Sequence, residues 1–152
     1  MTTRVALRFD LAHPNDEPAV CDLVIAMTRD SLVTGVTEFS TSHIAGQVRA
    51  LLQNPAVGPI LARDEDGQVV GLCMFILSQH LLTGVWGASQ VCLYLAPPWR
   101  NGSGRVLLAK GRAWAREHGA QWVQMLAPTP AYEAFYTRAG LRPVSRVYEG
   151  AP

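Results

Sequence analysis

The sequence contains few cysteines, almost no net charge and no long hydrophobic run. Its three cysteines are widely spaced and form no CxxC pair, so we expect neither a disulfide scaffold nor a metal site. Thirteen Lys and Arg against twelve Asp and Glu leave a formal net charge of +1, which gives no overall attraction to nucleic acid or to an anionic membrane. No apolar run approaches the roughly 18 residues of a membrane helix, and the start MTTRVALRFD lacks a signal-peptide core. We therefore expect a reduced, cytoplasmic protein.

The composition that remains is typical of one folded domain. The chain has 152 residues, of which 49% are hydrophobic and 16% are charged. This composition excludes a disordered chain, and this length can bury one hydrophobic core without disulfide bonds. We expect a single domain over residues 1–152.

Hydrophobic periodicity predicts alternating strands and helices. Strands are predicted where apolar residues alternate or run on, over 5–9, 60–63, 68–78, 91–96, 122–126 and 141–148. Helices are predicted where apolar residues recur every three or four positions, at 20–27, from a Thr41 or Ser42 cap to Asn54, over 102–118, and from a Thr129 cap to Gly140. The order β-α-α-β-β-β-α-β-α-β predicts an α/β (α+β) fold with a mixed central sheet. The apolar run VVGLCMFIL predicts a strand covered on both faces, and a right-handed crossover makes 91–96 and 122–126 parallel neighbours.

The most informative segment is a strand followed by two prolines, an arginine and two glycines that open a helix. A helix N-terminus exposes unpaired N–H groups and carries about half a positive charge. Gly102 and Gly104 lack a Cβ, so phosphate oxygens can approach the backbone, and Arg100 adds a charged donor. The segment therefore predicts a diphosphate site, although two glycines alone fit a tight turn without a ligand equally well. The Rossmann and P-loop signatures are both missing.

With its flanking residues, this segment resembles the central motif of the GCN5-related N-acetyltransferase (GNAT) superfamily. The residues that match the motif are Pro97, Trp99, Arg100, Gly102 and Gly104. The pair Phe135 and Tyr136, followed four residues later by Gly140 and Leu141, is similar to the family's next motif. The order of the predicted elements agrees with the family over nearly the whole chain.

The resemblance implies transfer of an acetyl group from acetyl-CoA to a primary amine, directly in a ternary complex and without a metal. It implies a small-molecule or protein amine as acceptor, and a GNAT-like sheet whose splayed central strands hold the pantetheine arm. Relatives often form homodimers, and the apolar composition is compatible with one. The residues implied in coenzyme binding are Leu93, Tyr94, Leu95, Arg100, Asn101, Gly102, Ser103, Gly104, Arg105, Thr129 and Tyr136.

The resemblance also implies catalytic residues. Tyr136 matches the family's general-acid tyrosine, and an ordinary phenol with a pKa near 10 keeps its proton at neutral pH. Tyr132, one turn earlier, is the second candidate, and packing on the sheet is the alternative role of both. His80 is the candidate base, although a solvated loop histidine is the more common explanation of such a position. Asp30 and Glu38 border the acceptor loop and either could hold an ammonium group.

Three departures from the family pattern keep other functions open. The glycine turn after Arg100 is one residue short, Thr129 stands where the family often has Asn, and Gln90 where many members carry an acid. The alternative is therefore a non-catalytic acyl-CoA-binding module of the same fold. Transfer to aminoacyl-tRNA would require a local basic patch over 105–116. Cys92 could act as a nucleophile, but nothing near it in sequence lowers a thiol pKa.

Overall fold

A computed structural model describes residues 6–30, 39–145 and 151 of the chain. Its strands are β1 (Arg8–Leu11), β2 (Val57–Arg63), β3 (Val69–Gln79), β4 (Trp86–Leu95) and β5 (Val123–Gln124). Its helices are α1 (Glu17–Asp30), α2 (Thr41–Gln53), α3 (Ser103–Glu117) and α4 (Pro130–Arg138). Single 3₁₀ turns precede α1 and follow β4, over Pro14–Asp16 and Pro97–Trp99. In this part of the chain no helix is both long and apolar enough to cross a bilayer.

The five strands form one mixed sheet in the order β1-β2-β3-β4-β5. Every neighbouring pair is antiparallel except β4 and β5, which are parallel, as the crossover through α3 predicts. These two strands pair only at Ala88 with Val123 and at Ser89 with Gln124. Beyond Ser89 they separate, which confirms the predicted splayed centre of the sheet.

Both faces of the sheet are covered by helices, as the long apolar run of β3 predicts. Leu72 and Met74 of β3 pack in one layer with α1 and α2. Cys73 and Phe75 alternate with them and pack in the other layer, with α3 and α4. At Gly111, α3 packs so closely against β3 that an added Cβ would lie 2.6 Å from the Cys73 Sγ.

One β-bulge in β4 sets which side chains face the α3 and α4 layer. Phe75 of β3 pairs with Gln90 and Met74 pairs with Cys92, so Val91 has no residue opposite it. An extra residue in one strand reverses the alternation of the side chains that follow it. Gln90 therefore faces the layer of α3 and α4, as do Leu93 and Leu95 at the end of β4. Cys92 faces the layer of α1 and α2.

The first two strands are placed differently from the prediction. β1 covers 8–11 instead of 5–9, and positions 1–5 lie outside the described residues, so the predicted start is not tested. β2 begins at Val57, three residues earlier than the predicted 60, because Val57 pairs with Ile76 of β3. Antiparallel pairing with a long neighbour thus extends a strand beyond its clearest hydrophobic pattern.

The helix caps also differ. α2 is capped by Ser40 and not by Thr41 or Ser42, since the Ser40 hydroxyl accepts the backbone N–H of His43 at 3.2 Å. Thr129 does stand before α4, but its side chain makes no cap hydrogen bond. Its extended backbone and the proline that follows are enough to begin that helix.

The hairpin between β3 and β4 is longer than predicted. β4 begins at Trp86, which pairs with Gln79, five residues before the predicted start at 91. Gly84 lies in the turn with a φ of 70°. Gly87 lies in β4, where the Trp122 ring leaves no room for a side chain, since it comes within 2.0 Å of the position of an added Cβ.

The last predicted strands are shortened or not formed where the structure describes them. β5 has two residues, whereas 122–126 were expected, because β4 and β5 separate after their second pair. The prediction of a strand over 141–148 is wrong for 141–145, which form no strand. Pro143 lies in that segment and cannot donate to a ladder. Positions 146–148 lie outside the described residues.

Candidate active site

The N-terminus of α3 is open to an anion. Gly102 precedes the helix with a left-handed φ of 101° and offers no side chain that could cap the first amides. The first N–H groups of a helix have no partner within it, so they point outward as donors. A Cβ added at Gly102 would meet no atom within 4 Å, so the approach to these donors is clear. The described residues therefore fit a phosphate group at this turn.

The short glycine turn is closed by contacts within itself and by α4. The Ser103 hydroxyl donates to the Asn101 Oδ1 at 3.2 Å, and the Arg105 N–H donates to the Gly102 carbonyl at 3.3 Å. The ring of Phe135 packs beside Gly104, 3.6 Å from the position of an added Cβ. Helix α4 is thus held against the first turn of α3.

The side chain of Arg100 contacts the end of β4 and the last residue of α1. Its Nε donates to the carbonyl of Leu95 at 2.7 Å, and its Nη2 lies 3.4 Å from the Asp30 Oδ2. Its guanidinium also stacks over the Tyr94 ring, 5.2 Å from the ring centroid. The Tyr94 hydroxyl donates to the same Asp30 oxygen at 2.9 Å, and burial together with this carboxylate raises the pKa of Tyr94. Asp30 is therefore already engaged by two side chains of the protein, while Glu38 lies outside the described residues.

The open edge of β4 presents backbone groups. The Ala96 N–H donates to Val70 of β3, so the groups of Ala96 point toward that neighbour. Hydrogen-bonding direction alternates along a strand, so Leu93 and Leu95 direct theirs to the side where β5 has departed. The Leu95 carbonyl already accepts the Arg100 Nε at 2.7 Å, and the predicted binding of an extended ligand by these two residues stays a prediction.

Tyr136 lies beside this opening. Its side chain is buried in the α3 and α4 layer, and its hydroxyl donates to the Gln90 Oε1 at 3.2 Å. Burial raises the pKa of Tyr136 well above its usual value, and nearby Tyr132 adds to the effect. The phenol therefore keeps its proton throughout the physiological pH range. Tyr132 is only half-buried, with its ring centroid 6.0 Å from that of Tyr136.

Other predicted residues lie apart from Tyr136. His80 is exposed at the tip of the β3–β4 hairpin, where its Nδ1 contacts Thr83. Trp86, where β4 begins next to this tip, already lies four residues or about 13 Å along the strand from Gln90, and His80 lies beyond it. Cys92 is buried on the opposite face of the sheet, and burial raises its pKa to about 12, which disfavours a nucleophilic thiolate.

Two features of the site have no counterpart in the sequence pattern. One is the contact between Gln90 and Tyr136, which are 46 positions apart. The other is an apolar cavity of about 110 Å³ between α1, α2 and β4. Its lining residues are Val24, Met27, His43, Ile44, Gln47, Val48, Leu51, Met74, Val91 and Cys92. Over the ranges that the structure covers, no three His, Cys, Asp or Glu residues are grouped to hold a metal ion.

The chain has clear relatives among known proteins. The sequence model of the Acetyltransferase (GNAT) family matches residues 29–141. No curated protein matches the chain by sequence. A predicted acetyltransferase from Clostridium acetobutylicum, solved with acetyl-CoA, superposes with a TM-score of 0.81 at 14% identity, covering 96% of each chain.

Two further solved structures have the same fold. Ribosomal-protein-alanine N-acetyltransferase from Brucella melitensis has a TM-score of 0.74 at 19% identity, covering 96% of this chain and 99% of that chain. Aminoglycoside 6'-N-acetyltransferase from Acinetobacter baumannii has a TM-score of 0.74 at 14% identity, covering 97% of this chain and 98% of that chain. At these identities the likeness establishes the fold, which confirms the predicted mixed sheet.

Proposed function

Because the chain belongs to the GNAT acetyltransferase family, we propose that it transfers the acetyl group of acetyl-CoA directly to a primary amine of a small molecule or a protein. The observation that carries this proposal is the position of Tyr136. Its buried hydroxyl lies beside the gap between β4 and β5, on a helix that also contacts the first turn of α3. Helix α4 thereby contacts both parts of the proposed site, the turn for the phosphates and the place of the reacting thioester.

Coenzyme binding is assigned to two backbone surfaces. The amides at the start of α3, over 102–104, bind the pyrophosphate, and the exposed Arg105 side chain adds positive charge. The free edge of β4 at Leu93 and Leu95 bonds the pantetheine amides as a strand would. The turn is one residue short but still ends in a glycine N-cap, which leaves the helix amides unblocked.

Tyr136 is proposed to act on the leaving sulfur. Acetyl-CoA supplies the activated acyl group. A new C–N bond forms as the C–S bond breaks, so negative charge develops on sulfur while the amine loses a proton. Tyr136 stabilises that charge by donating a hydrogen bond. Its raised pKa makes complete proton transfer to sulfur unfavourable, so the thiolate takes its proton from water.

The proton that the amine loses is proposed to pass to water, just as the proton that the thiolate gains is proposed to come from water. His80 lies at the hairpin tip and contacts Thr83, so it is left out of the mechanism. The apolar cavity beside Val91 and Cys92 suits an acceptor that carries a small apolar group. The sequence segments 32–40 and 81–88, which the family resemblance places at the acceptor site, carry no charged residue apart from Glu38, and this supports the preference.

Replacing Tyr136 by Phe tests the function. We expect the Tyr136→Phe variant to lose about 10²-fold or more in kcat, because the thiolate loses its donor, while its affinity for coenzyme A stays within about twofold. Release of free coenzyme A in the presence of a panel of apolar primary amines measures kcat. Calorimetry measures binding.

The matched control is Tyr132→Phe, one helical turn away, which should retain activity. The alternative function, an acyl-CoA-binding module without catalysis, predicts binding by the wild type and no amine-dependent release of coenzyme A. Unchanged turnover in Tyr136→Phe would remove Tyr136 from the mechanism.

A further inference from the structure

The side chain of Gln90 lies where β4 and β5 separate. The two strands pair for the last time at Ser89 and Gln124, and Gln90 is the next residue of β4. Its Oε1 accepts the backbone N–H of Leu126 at 3.0 Å and the hydroxyl of Tyr136 at 3.2 Å. One amide oxygen therefore connects β4, the chain that leaves β5, and helix α4.

The contact with Leu126 fixes the orientation of this amide. A backbone N–H can only donate, so the atom that faces it must be the Gln90 oxygen and not the nitrogen. The Tyr136 hydroxyl shares that oxygen, and it must therefore donate its proton there. The resting direction of the phenolic O–H is thus set by Gln90.

The hydrogen bond from the Leu126 N–H to the Gln90 Oε1 also sets where the opening between β4 and β5 begins. In a continued ladder the N–H of Leu126 would bond to the backbone of β4, but the strands have already diverged. The Gln90 side chain spans the difference and satisfies this donor, so the chain after β5 is held at a defined separation from β4. The opening is thereby fixed at its inner end, beside Tyr136.

A neutral acceptor suits a site in which negative charge develops. A carboxylate at position 90 would stand beside the departing thiolate and would compete with it for the phenolic proton. An amide oxygen is the weaker acceptor, so the proton turns to sulfur once sulfur becomes charged. Glutamine therefore orients the hydroxyl without retaining it.

We propose that Gln90 is the positioning residue for Tyr136. It orients the Tyr136 hydroxyl and fixes the separation between β4 and the chain after β5. The catalytic part of this inference rests on the proposed acetyl transfer, whereas the structural part does not. The two parts are tested separately.

The structural part is tested by hydrogen exchange at single amides, measured by NMR. Gln90→Met keeps the length of the side chain but removes the acceptor, so the Leu126 amide should exchange about tenfold faster or more. Gln90→Glu retains an acceptor oxygen and should restore the protection. The internal control is the Ala88 amide, which donates to the Trp122 carbonyl at 3.0 Å and should stay protected in all three proteins. Unchanged exchange of Leu126 in Gln90→Met would overturn the proposal, even if the protein is an acetyltransferase.

The catalytic part is tested by a double-mutant cycle. Gln90→Met should lower kcat about tenfold and leave the KM for acetyl-CoA within about twofold, because the hydroxyl is no longer oriented. In the Tyr136→Phe background the same change should have almost no further effect on kcat. Multiplicative losses would show that Gln90 acts independently of Tyr136 and would overturn its positioning role. If the wild type transfers no acetyl group, the proposed function fails, while the exchange experiment still decides whether Gln90 holds the Leu126 amide.

Discussion

The family resemblance implies that Arg100 binds a coenzyme phosphate, and we propose that its guanidinium is then shared between that phosphate and Asp30. It lies 3.4 Å from the Asp30 carboxylate, and both side chains are about half exposed. Ion pairs between exposed groups contribute little, whereas a phosphate accepts charged hydrogen bonds from arginine with good geometry. The Nε stays bonded to Leu95, so only the terminal nitrogens need to turn toward the ligand. Asp30 is therefore expected to weaken coenzyme binding.

Replacing Asp30 by Asn should tighten the binding of coenzyme A about two- to fivefold, which corresponds to the loss of one surface ion pair. The Tyr94 hydroxyl keeps an acceptor in the amide oxygen, so the local packing is retained. Calorimetric titration at low and at high salt measures the effect, and the gain should shrink as salt screens the charges. Asp22→Asn removes one charge from the same helix and should change the affinity little. Equal affinities of wild type and Asp30→Asn would show that Arg100 does not bind the phosphate.

Residue roles that depend on the local chain are predictable from the sequence. Gly102 and Gly119 border α3 and take φ values of 101° and 89°, as a glycine at each end of the predicted helix suggests. Contacts across the fold are not predictable in this way. Arg100 meets Asp30 across 70 positions of the chain. No spacing rule connects residues so distant, so the engagement of Arg100 could not be anticipated.

At the scale of elements, Arg63 joins the end of β2 to the start of α1. Its two terminal nitrogens donate to the Asp16 carboxylate at 3.1 and 2.8 Å, and its Nε donates to Asp10 of β1. The side chains of Arg63 and Asp16 are only 14% and 15% exposed, so solvent screens this pair weakly. The hydrogen bonds from Arg63 lower the pKa of Asp16 below its usual value, although burial opposes them.

The stability of the protein should therefore depend on the charge of Asp16. A carboxyl whose pKa is lower in the folded state stabilises it above the unfolded pKa of about 3.9, and this contribution disappears as pH falls through the folded pKa. Asp16→Asn should lower the free energy of unfolding by about 1–3 kcal/mol at pH 7, and the difference should vanish toward pH 2. Urea unfolding at pH 7, 4 and 2.5 measures it. Glu65→Gln, in the exposed β2–β3 turn, is the control. A difference that stays constant over this range would exclude the ion pair as its cause.

Helices are predictable where their own residues determine them, whereas the ends of the strands are not. The amphipathic pattern places α3 within one residue at each end. β4 gains five residues because β3 continues beside it, and β5 is shorter than predicted because β4 diverges from it. Strand ends are thus decided by the neighbouring strand and not by the residues of the strand alone.

At the scale of the molecule, the proposed ligand sites meet at the gap in the sheet. The phosphate turn and Tyr136 belong to the layer of α3 and α4, whereas the apolar cavity lies in the layer of α1 and α2. The gap between β4 and β5 is where the sheet itself does not separate these two layers. The order of the elements and the handedness of the crossover predict this architecture, because both follow from the sequence of strands and helices. The bulge at Val91 and the hydrogen bond from Leu126 to Gln90 are two details of this region that the sequence pattern does not indicate.

Coenzyme binding should stabilise the whole fold, because the ligand joins α3, β4 and α4. A ligand at 100 times its Kd adds about 2.7 kcal/mol to the free energy of unfolding. For a chain of this size that corresponds to a rise in Tm of about 5–10 °C. Acetyl-CoA and coenzyme A should give similar rises, since both carry the pyrophosphate and the pantetheine arm, and NAD should give none, since it has a pyrophosphate but no pantetheine. A thermal shift series with all three ligands measures this. A rise with NAD equal to that with coenzyme A would mean that the start of α3 binds diphosphates without help from β4. No rise with any ligand at millimolar concentration would mean that the shortened glycine turn does not bind the coenzyme, and the proposed acetyl transfer would be wrong.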